Sequence, residues 1–297
     1  MKSDLPIGIF DSGVGGLTVY RALHERLPDE RFVYLGDTAR VPYGTKSLAT
    51  VERYAVENAR FLEAHGIKML VVACNTASAL ALPAVASRVA VPVVGVIEPG
   101  ANAAVVGAAA RGRIGVIATE STVRSGAYRR AIKKLAGEAE VVERACPLFV
   151  SLAEEGWAET DVARAVAAEY LRDLGGSQID ALVLGCTHYP ILRRVIQETV
   201  GEDVRLIDSG EATAESVAAL LEAEGLRHAT TDTQANDGES SGVHGRSLCD
   251  DLDHFYVTDA AERFARVAER FLGTSPSVLE AVEVWGHDEL HTRQSQL

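Results

Sequence analysis

Short apolar runs, many of them β-branched, alternate along the chain with longer stretches in which apolar positions recur among Ala, Leu, Glu and Arg. The short runs predict strands at 7–10 (IGIF), 32–35 (FVYL), 69–73 (MLVVA) and 91–97 (VPVVGVI) in the first half. In the second half they predict strands at 114–118 (IGVIA), 140–144 (EVVER), 181–184 (ALVL) and 204–207 (VRLI). Helical stretches such as 48–65, 161–174 and 211–224 lie between them. Continuous apolar strands alternating with helices mean parallel sheets covered on both faces, an α/β fold.

The two halves repeat each other in order. IGIFDSG (7–13) is like IGVIATEST (114–122), VVACNTAS (71–78) is like LVLGCTHYP (182–190), and VGVIEPG (94–100) is like RLIDSG (205–210). Three matched strand ends in one order predict an internal duplication with a period near the spacing of Cys74 and Cys186. The expected fold is two similar doubly wound parallel-sheet domains related by pseudo-symmetry, with the active site in the cleft between them. Residues 228–253 break the pattern. They are polar, acidic and rich in Gly, Ser, Thr and Asp, which predicts a mobile surface loop that can be replaced without loss. A strand at 255–258 and an amphipathic helix at 260–272 follow, and the residues from 287 read as a frayed tail.

Composition narrows the function class. The 297 residues carry 29 basic and 42 acidic side chains, a formal charge of −13, which suits no nucleic-acid footprint. No apolar run reaches membrane-spanning length, and residues 1–10 lack a secretory pattern. Cysteines stand at 74, 146, 186 and 249 with no C-x-x-C spacing, so neither a disulfide framework nor a zinc knuckle is indicated, and a reducing cytoplasm fits. No nucleic-acid or membrane partner is expected, and a homodimer stays open.

Chemistry collects where ligands bind in open parallel sheets, at the carboxyl ends of strands. There stand Asp11-Ser12-Gly13, Cys74-Asn75-Thr76, Thr119 to Thr122 and Cys186-Thr187-His188, with Pro42-Tyr43-Gly44 in the loop after the second strand. A lone Cys at a strand end is usually a small buried hydrophobe. Two at equivalent places in duplicated halves, each followed by hydrogen-bonding residues, point to opposed acid/base groups. Helix N-termini lower thiol pKa values, and a thiol near neutrality exchanges protons well. Two such groups facing one ligand could invert a stereocentre. Asp11, at the end of the first strand near the presumed Cys74 site, and His188, two residues after Cys186, could set the thiols' states. These strand-end motifs carry no Lys or Arg, so a carboxylate-bearing ligand would be held by backbone N–H groups and by Ser12, Asn75, Thr76, Thr119, Thr122 and Thr187. DSGVGG lacks the G-x-G-x-x-G spacing and no suitably placed P-loop Lys follows. Cys146, before Pro147, reads as structural.

GIFDSGVGGLTV (8–19), GDTARVPYG (36–44), VVACNTASA (71–79), CPLFVSLAEEG (146–156), LVLGCTHYP (182–190) and LIDSG (206–210), in that order, resemble the glutamate racemase family. The resemblance implies interconversion of L- and D-glutamate, supply of D-glutamate for peptidoglycan, and no pyridoxal phosphate, metal or other cofactor. It implies Cys74 and Cys186 as the proton-transferring pair, with Asp11, Ser12, Tyr43, Gly44, Asn75, Thr76, Thr187 and His188 lining the substrate site. It also implies a carboxylate near the second Cys, for which Glu154 is the better candidate and Glu155 the other, since Ser151 and Ala153 depart from the family wording there. The first domain would comprise 1–97 plus 208–297, completed by the chain's C-terminal part, and the second 98–207. The alternatives are an aspartate or hydantoin racemase of the same superfamily, a metal-dependent hydrolase using Cys74, Cys186, His188 and Asp11, and a non-catalytic two-lobed binder.

Overall fold

A computed structural model describes residues 2–106, 112–175, 179–228 and 246–285. The strands are β1 (Ile7–Asp11), β2 (Phe32–Gly36), β3 (Met69–Val72), β4 (Val93–Gly95), β5 (Arg113–Ala118), β6 (Glu140–Ala145), β7 (Ala181–Gly185), β8 (Arg205–Asp208), β9 (His254–Val257) and β10 (Leu279–Ala281). The helices are α1 (Leu17–Arg26), α2 (Leu48–Ala64), α3 (Asn75–Ala86), α4 (Ile97–Val106), α5 (Glu120–Ser125), α6 (Ala127–Leu135), α7 (Leu148–Glu154), α8 (Asp161–Gly175), α9 (Arg193–Val200), α10 (Ser209–Ala223) and α11 (Ala261–Leu272).

All pairings are parallel, and they form two sheets. The first runs β10-β9-β2-β1-β3-β4 and the second β6-β5-β7-β8. Without β9 and β10, the first sheet has the order 2-1-3-4, and the second repeats that order with β5 to β8. The duplication read from three strand ends is therefore also a duplication of topology. β1, β3 and β7 are buried along their whole length, as expected of central parallel strands.

Two expectations about the chain's segments are corrected. The apolar run 91–97 is a strand only over Val93–Gly95. The Val96 amide donates to Ser78 Oγ at 3.2 Å, which takes it out of the ladder, and α4 begins at Ile97. The larger correction concerns 228–253. Residues 229–245 lie outside the described residues, but 246–253 is packed. Cys249 is buried, and its amide donates to the Tyr20 hydroxyl at 2.8 Å. Asp253 is buried too. It accepts from Tyr20 Oη at 2.8 Å and from the Phe32 amide at 2.9 Å, and it pairs with Arg246 at 2.8 Å. Arg246 also reaches the Glu30 carbonyl, while the Glu30 carboxylate accepts from the His228 amide at 2.8 Å and pairs with buried Lys68. Its polar residues satisfy one another and the core, so polarity here does not mean solvation. Nothing in the hydrophobic pattern marks β10, a mostly exposed three-residue edge strand.

Candidate active site

The equivalent strand ends converge on one cavity of about 170 Å³. Ser12, Tyr43, Gly44, Cys74, Asn75, Thr76, Thr119, Cys186, Thr187 and His188 line it, joined by Val41, Pro42, Thr45, Glu120, Pro147, Val150 and Ser151. Both thiols are on its wall. Cys74 caps the N-terminus of α3 directly after β3, and Cys186 follows β7 and leads through a 3-10 turn into α9. Three predicted residues stand off the wall. Asp11 is fully buried, Thr122 is buried behind Thr76 and Thr119, and Glu154 lines a neighbouring cavity of about 50 Å³ with Arg263.

The two sheets' loops are stitched together around the cavity. Thr76 Oγ1 is 2.9 Å from Thr119 Oγ1 and 3.2 Å from Thr122 Oγ1. Ser121 donates to the Gly44 carbonyl at 2.7 Å, Tyr128 to Asn75 Oδ1 at 2.7 Å, and Thr18 to the Thr187 carbonyl at 2.8 Å. Two glycines permit this approach. A Cβ on Gly15 would lie 2.4 Å from Thr187 Oγ1 and 2.5 Å from the His188 ring, and one on Gly44 would lie 2.9 Å from Thr119 Cβ. Gly15 of DSGVGG thus serves close packing of the two halves, whereas Gly16 makes room for Asp11 and Tyr34 within its own half. Tyr43 is held from behind by Asp37, which is buried and also binds Arg40 at 2.7 Å and Thr258 at 3.0 Å.

The surroundings of the two thiols differ. Cys74 donates to Ser12 Oγ at 3.6 Å. Burial, with the nearby Asp11, pushes its thiol up to about 12. This reverses the expectation of a lowered thiol: desolvation outweighs the α3 N-terminus. Burial likewise raises the carboxyl of Asp11, opposed by His188 and by backbone amides. One Asp11 oxygen accepts from the Gly13 amide at 3.0 Å; the other, Oδ1, has no partner among the described residues.

On the other side, Cys186 Sγ lies 3.7 Å from His188 Nδ1, and His188 Nε2 lies 3.0 Å from Glu154 Oε1. Burial disfavours the imidazolium, but Cys186 and Glu154 prevail and raise His188 to about 10. Burial also opposes the ionised form of Glu154, but His188 and Arg263 outweigh it and lower its carboxyl. The carboxylate is Glu154; Glu155 takes no part in these contacts.

Sequence reasoning missed the groups that hold these residues: Asp37, Tyr128, Arg263 and Arg270. Arg263 binds Glu154 Oε2 at 2.9 Å, and Arg270 donates to the Glu154 carbonyl at 2.6 Å. Only Asp37 carried a signal, its place at the end of β2. The four cysteines are free thiols. Among the described residues, no three His, Cys, Asp or Glu side chains are grouped to hold a metal, and no helix is long and apolar enough to cross a membrane.

Residues 7–217 match the family model for Asp/Glu/Hydantoin racemase. The glutamate racemase of Geobacter metallireducens is 54% identical over 267 residues, covering 90% of this chain and 92% of that protein. Among solved structures, a glutamate racemase from Bacillus anthracis superposes with a TM-score of 0.83 at 36% identity, over 95% of this chain and 98% of that one. The Francisella tularensis glutamate racemase, solved with D-glutamate, gives a TM-score of 0.82 at 38% identity and the same coverage.

Proposed function

The chain belongs to the Asp/Glu/Hydantoin racemase family, and from that premise we propose that it interconverts L- and D-glutamate by proton transfer between Cys74 and Cys186. The observation that carries this reading is the placement of two thiols, from equivalent strand ends of duplicated sheets, on one cavity wall. Glutamate is favoured as substrate by the names of relatives that match along nearly the whole chain.

One thiolate removes the α-proton and the opposed thiol delivers one to the other face. The two thiols' surroundings suit the L-to-D direction. Burial keeps Cys74 a neutral proton donor, while the His188 ring faces the Cys186 sulfur, where thiolate charge would stand. The reverse direction starts with the proton on Cys186, and Asp11 lies beside Cys74 to accept its proton. Ser12, Tyr43-Gly44, Asn75-Thr76, Thr119 and Thr187-His188 bind the carboxylates and ammonium, with Thr122 orienting Thr76 and Thr119. The functional division is 1–97 plus 208–297 against 98–207, and the reaction needs no cofactor. Its product serves peptidoglycan synthesis in the cytoplasm.

The test is direct: dialysed protein in chelator is given L-glutamate and the circular dichroism of the amino acid is followed. The signal is expected to decay to zero, and equally from D-glutamate. A requirement for pyridoxal phosphate or a metal, or turnover of aspartate with none of glutamate, overturns the reading.

A further inference from the structure

We propose that Arg263, on the C-terminal helix α11, is a positioning residue for the Cys186 side of the reaction, holding the Glu154 carboxylate against His188. The proposal rests on the two-thiol reading above and extends it to a residue outside the strand-end motifs.

The geometry is a chain of four groups. Cys186 Sγ faces His188 Nδ1 at 3.7 Å, His188 Nε2 meets Glu154 Oε1 at 3.0 Å, and Glu154 Oε2 meets Arg263 Nη2 at 2.9 Å. Each carboxylate oxygen thus has its own partner, which fixes the carboxylate plane as well as its position. Helix α11 touches the chain at two further points. Arg270 donates to the Glu154 carbonyl at 2.6 Å, and the Phe271 ring meets the His188 ring edge-on, 5.9 Å between centroids. Cys186, Glu154 and His188 come from segments around the four-stranded sheet, whereas α11 follows β9 of the six-stranded sheet and packs on α1. The helix therefore carries the alignment of the relay across the cleft.

An exposed ion pair ordinarily contributes little to stability, and the Arg263 side chain is 56% exposed. Glu154 is only 16% exposed, however, and its other oxygen serves a buried imidazole. Loss of Arg263 leaves the carboxylate free to turn from His188, a change in alignment at little cost in folding. Sign separates this role from simple electrostatics. Removing a positive neighbour by itself raises the affinity of His188 for its proton; releasing Glu154 lowers it. The titratable groups that face His188 are Cys186 on the same loop, Glu154 on α7 and Asp11 on β1, while Arg263 and Arg270 on α11 contact Glu154.

The experiment follows the ring nitrogens of His188 by NMR from pH 6 to 11 in the wild type, Arg263→Met, Arg263→Lys, Glu154→Gln and the Arg263→Met/Glu154→Gln double variant. Arg263→Met should lower the midpoint by about one pH unit, and Arg263→Lys should restore part of it. The double variant should match Glu154→Gln alone, since Arg263 acts through Glu154. In turnover, Arg263→Met should lower kcat about tenfold with KM within about twofold, at an unchanged unfolding midpoint. A midpoint that stays or rises, or an equal fall with Glu154 already replaced, overturns the proposal. The titration needs no turnover, so a wild type that does not racemise glutamate defeats the functional reading alone.

Discussion

The Tyr128 hydroxyl donates to Asn75 Oδ1 at 2.7 Å across the cleft, and this fixes which face of the amide remains to be used. Asn75 Nδ2 is buried, its residue lines the cavity, and the nitrogen has no partner among the described residues. A buried, unpaired N–H group costs about 1–3 kcal/mol unless a ligand satisfies it. Asn75→Ala is therefore expected to raise KM for glutamate by roughly tenfold to a hundredfold, because it removes a donor to a charged substrate. Tyr128→Phe should cost only a few-fold, since the amide stays but is free to turn. Steady-state kinetics of both variants, at matched unfolding midpoints, checks this; equal losses would place the Tyr128 contact and the Asn75 donor in one structural role.

The state of Cys74 gives a pH dependence with a definite sign. Its thiol, pushed up to about 12 by burial, is neutral where a free thiol near 9.0 has begun to ionise. The folded state therefore favours the protonated form. This contribution to stability is fully present below pH 9 and is lost as pH rises from there towards the folded value. Between pH 8 and 10.5 the wild type should lose more of its unfolding midpoint than Cys74→Ala. In substrate-free protein, iodoacetamide should label Cys74 slowly at pH 7.5. Rapid labelling of Cys74 at neutral pH, read by peptide mapping, would falsify the buried-thiol assignment.

The strand ends were legible because two signals coincide there: a continuous apolar run stops, and small polar residues with a Cys or Asp follow. That coincidence located Asp11, Cys74, Thr119 and Cys186 without any knowledge of contacts. The residues that hold the site were not legible. The apolar stripe of α11 reports which side faces the core, where Phe264, Val267, Ala268 and Phe271 are buried. It says nothing of what Arg263 and Arg270 reach across the cleft. The thiol state was misread for a related reason: the α3 N-terminus is a local feature, whereas the burial that overrides it depends on every segment packed around Cys74.

Residues 246–253 show the same limit in stability terms. Asp253 is buried with three partners, Tyr20 Oη, the Phe32 amide and Arg246. Asp253→Ala leaves those donors unpaired in the core, and breaking a buried pair in this way costs about 3 kcal/mol or more. Chemical denaturation should show that loss with little change in KM, because the segment lies away from the cavity wall. Replacing 246–253 by a Gly/Ser linker should be worse still, whereas a substitution confined to 229–245 tests the original expectation of a replaceable loop. A linker at 246–253 that leaves stability unchanged would show that these contacts contribute nothing.

The two thiols stand at equivalent strand ends but keep different company: Ser12 and Asp11 beside Cys74, His188 and Glu154 beside Cys186. If each serves one face of the α-carbon, each removes the proton of one enantiomer only. Cys74→Ser and Cys186→Ser replace a thiol by a far weaker acid, and both should abolish racemisation. Loss of racemisation alone does not separate two bases from one base and a bystander. β-Chloro-glutamate does, because proton removal expels chloride and no reprotonation on the far face is required. Cys74→Ser, which keeps Cys186, should eliminate chloride mainly from the L form. Cys186→Ser, which keeps Cys74, should act mainly on the D form. Chloride release measured with each enantiomer gives the answer directly, and two variants with the same residual preference would refute the two-base arrangement even if neither racemises glutamate.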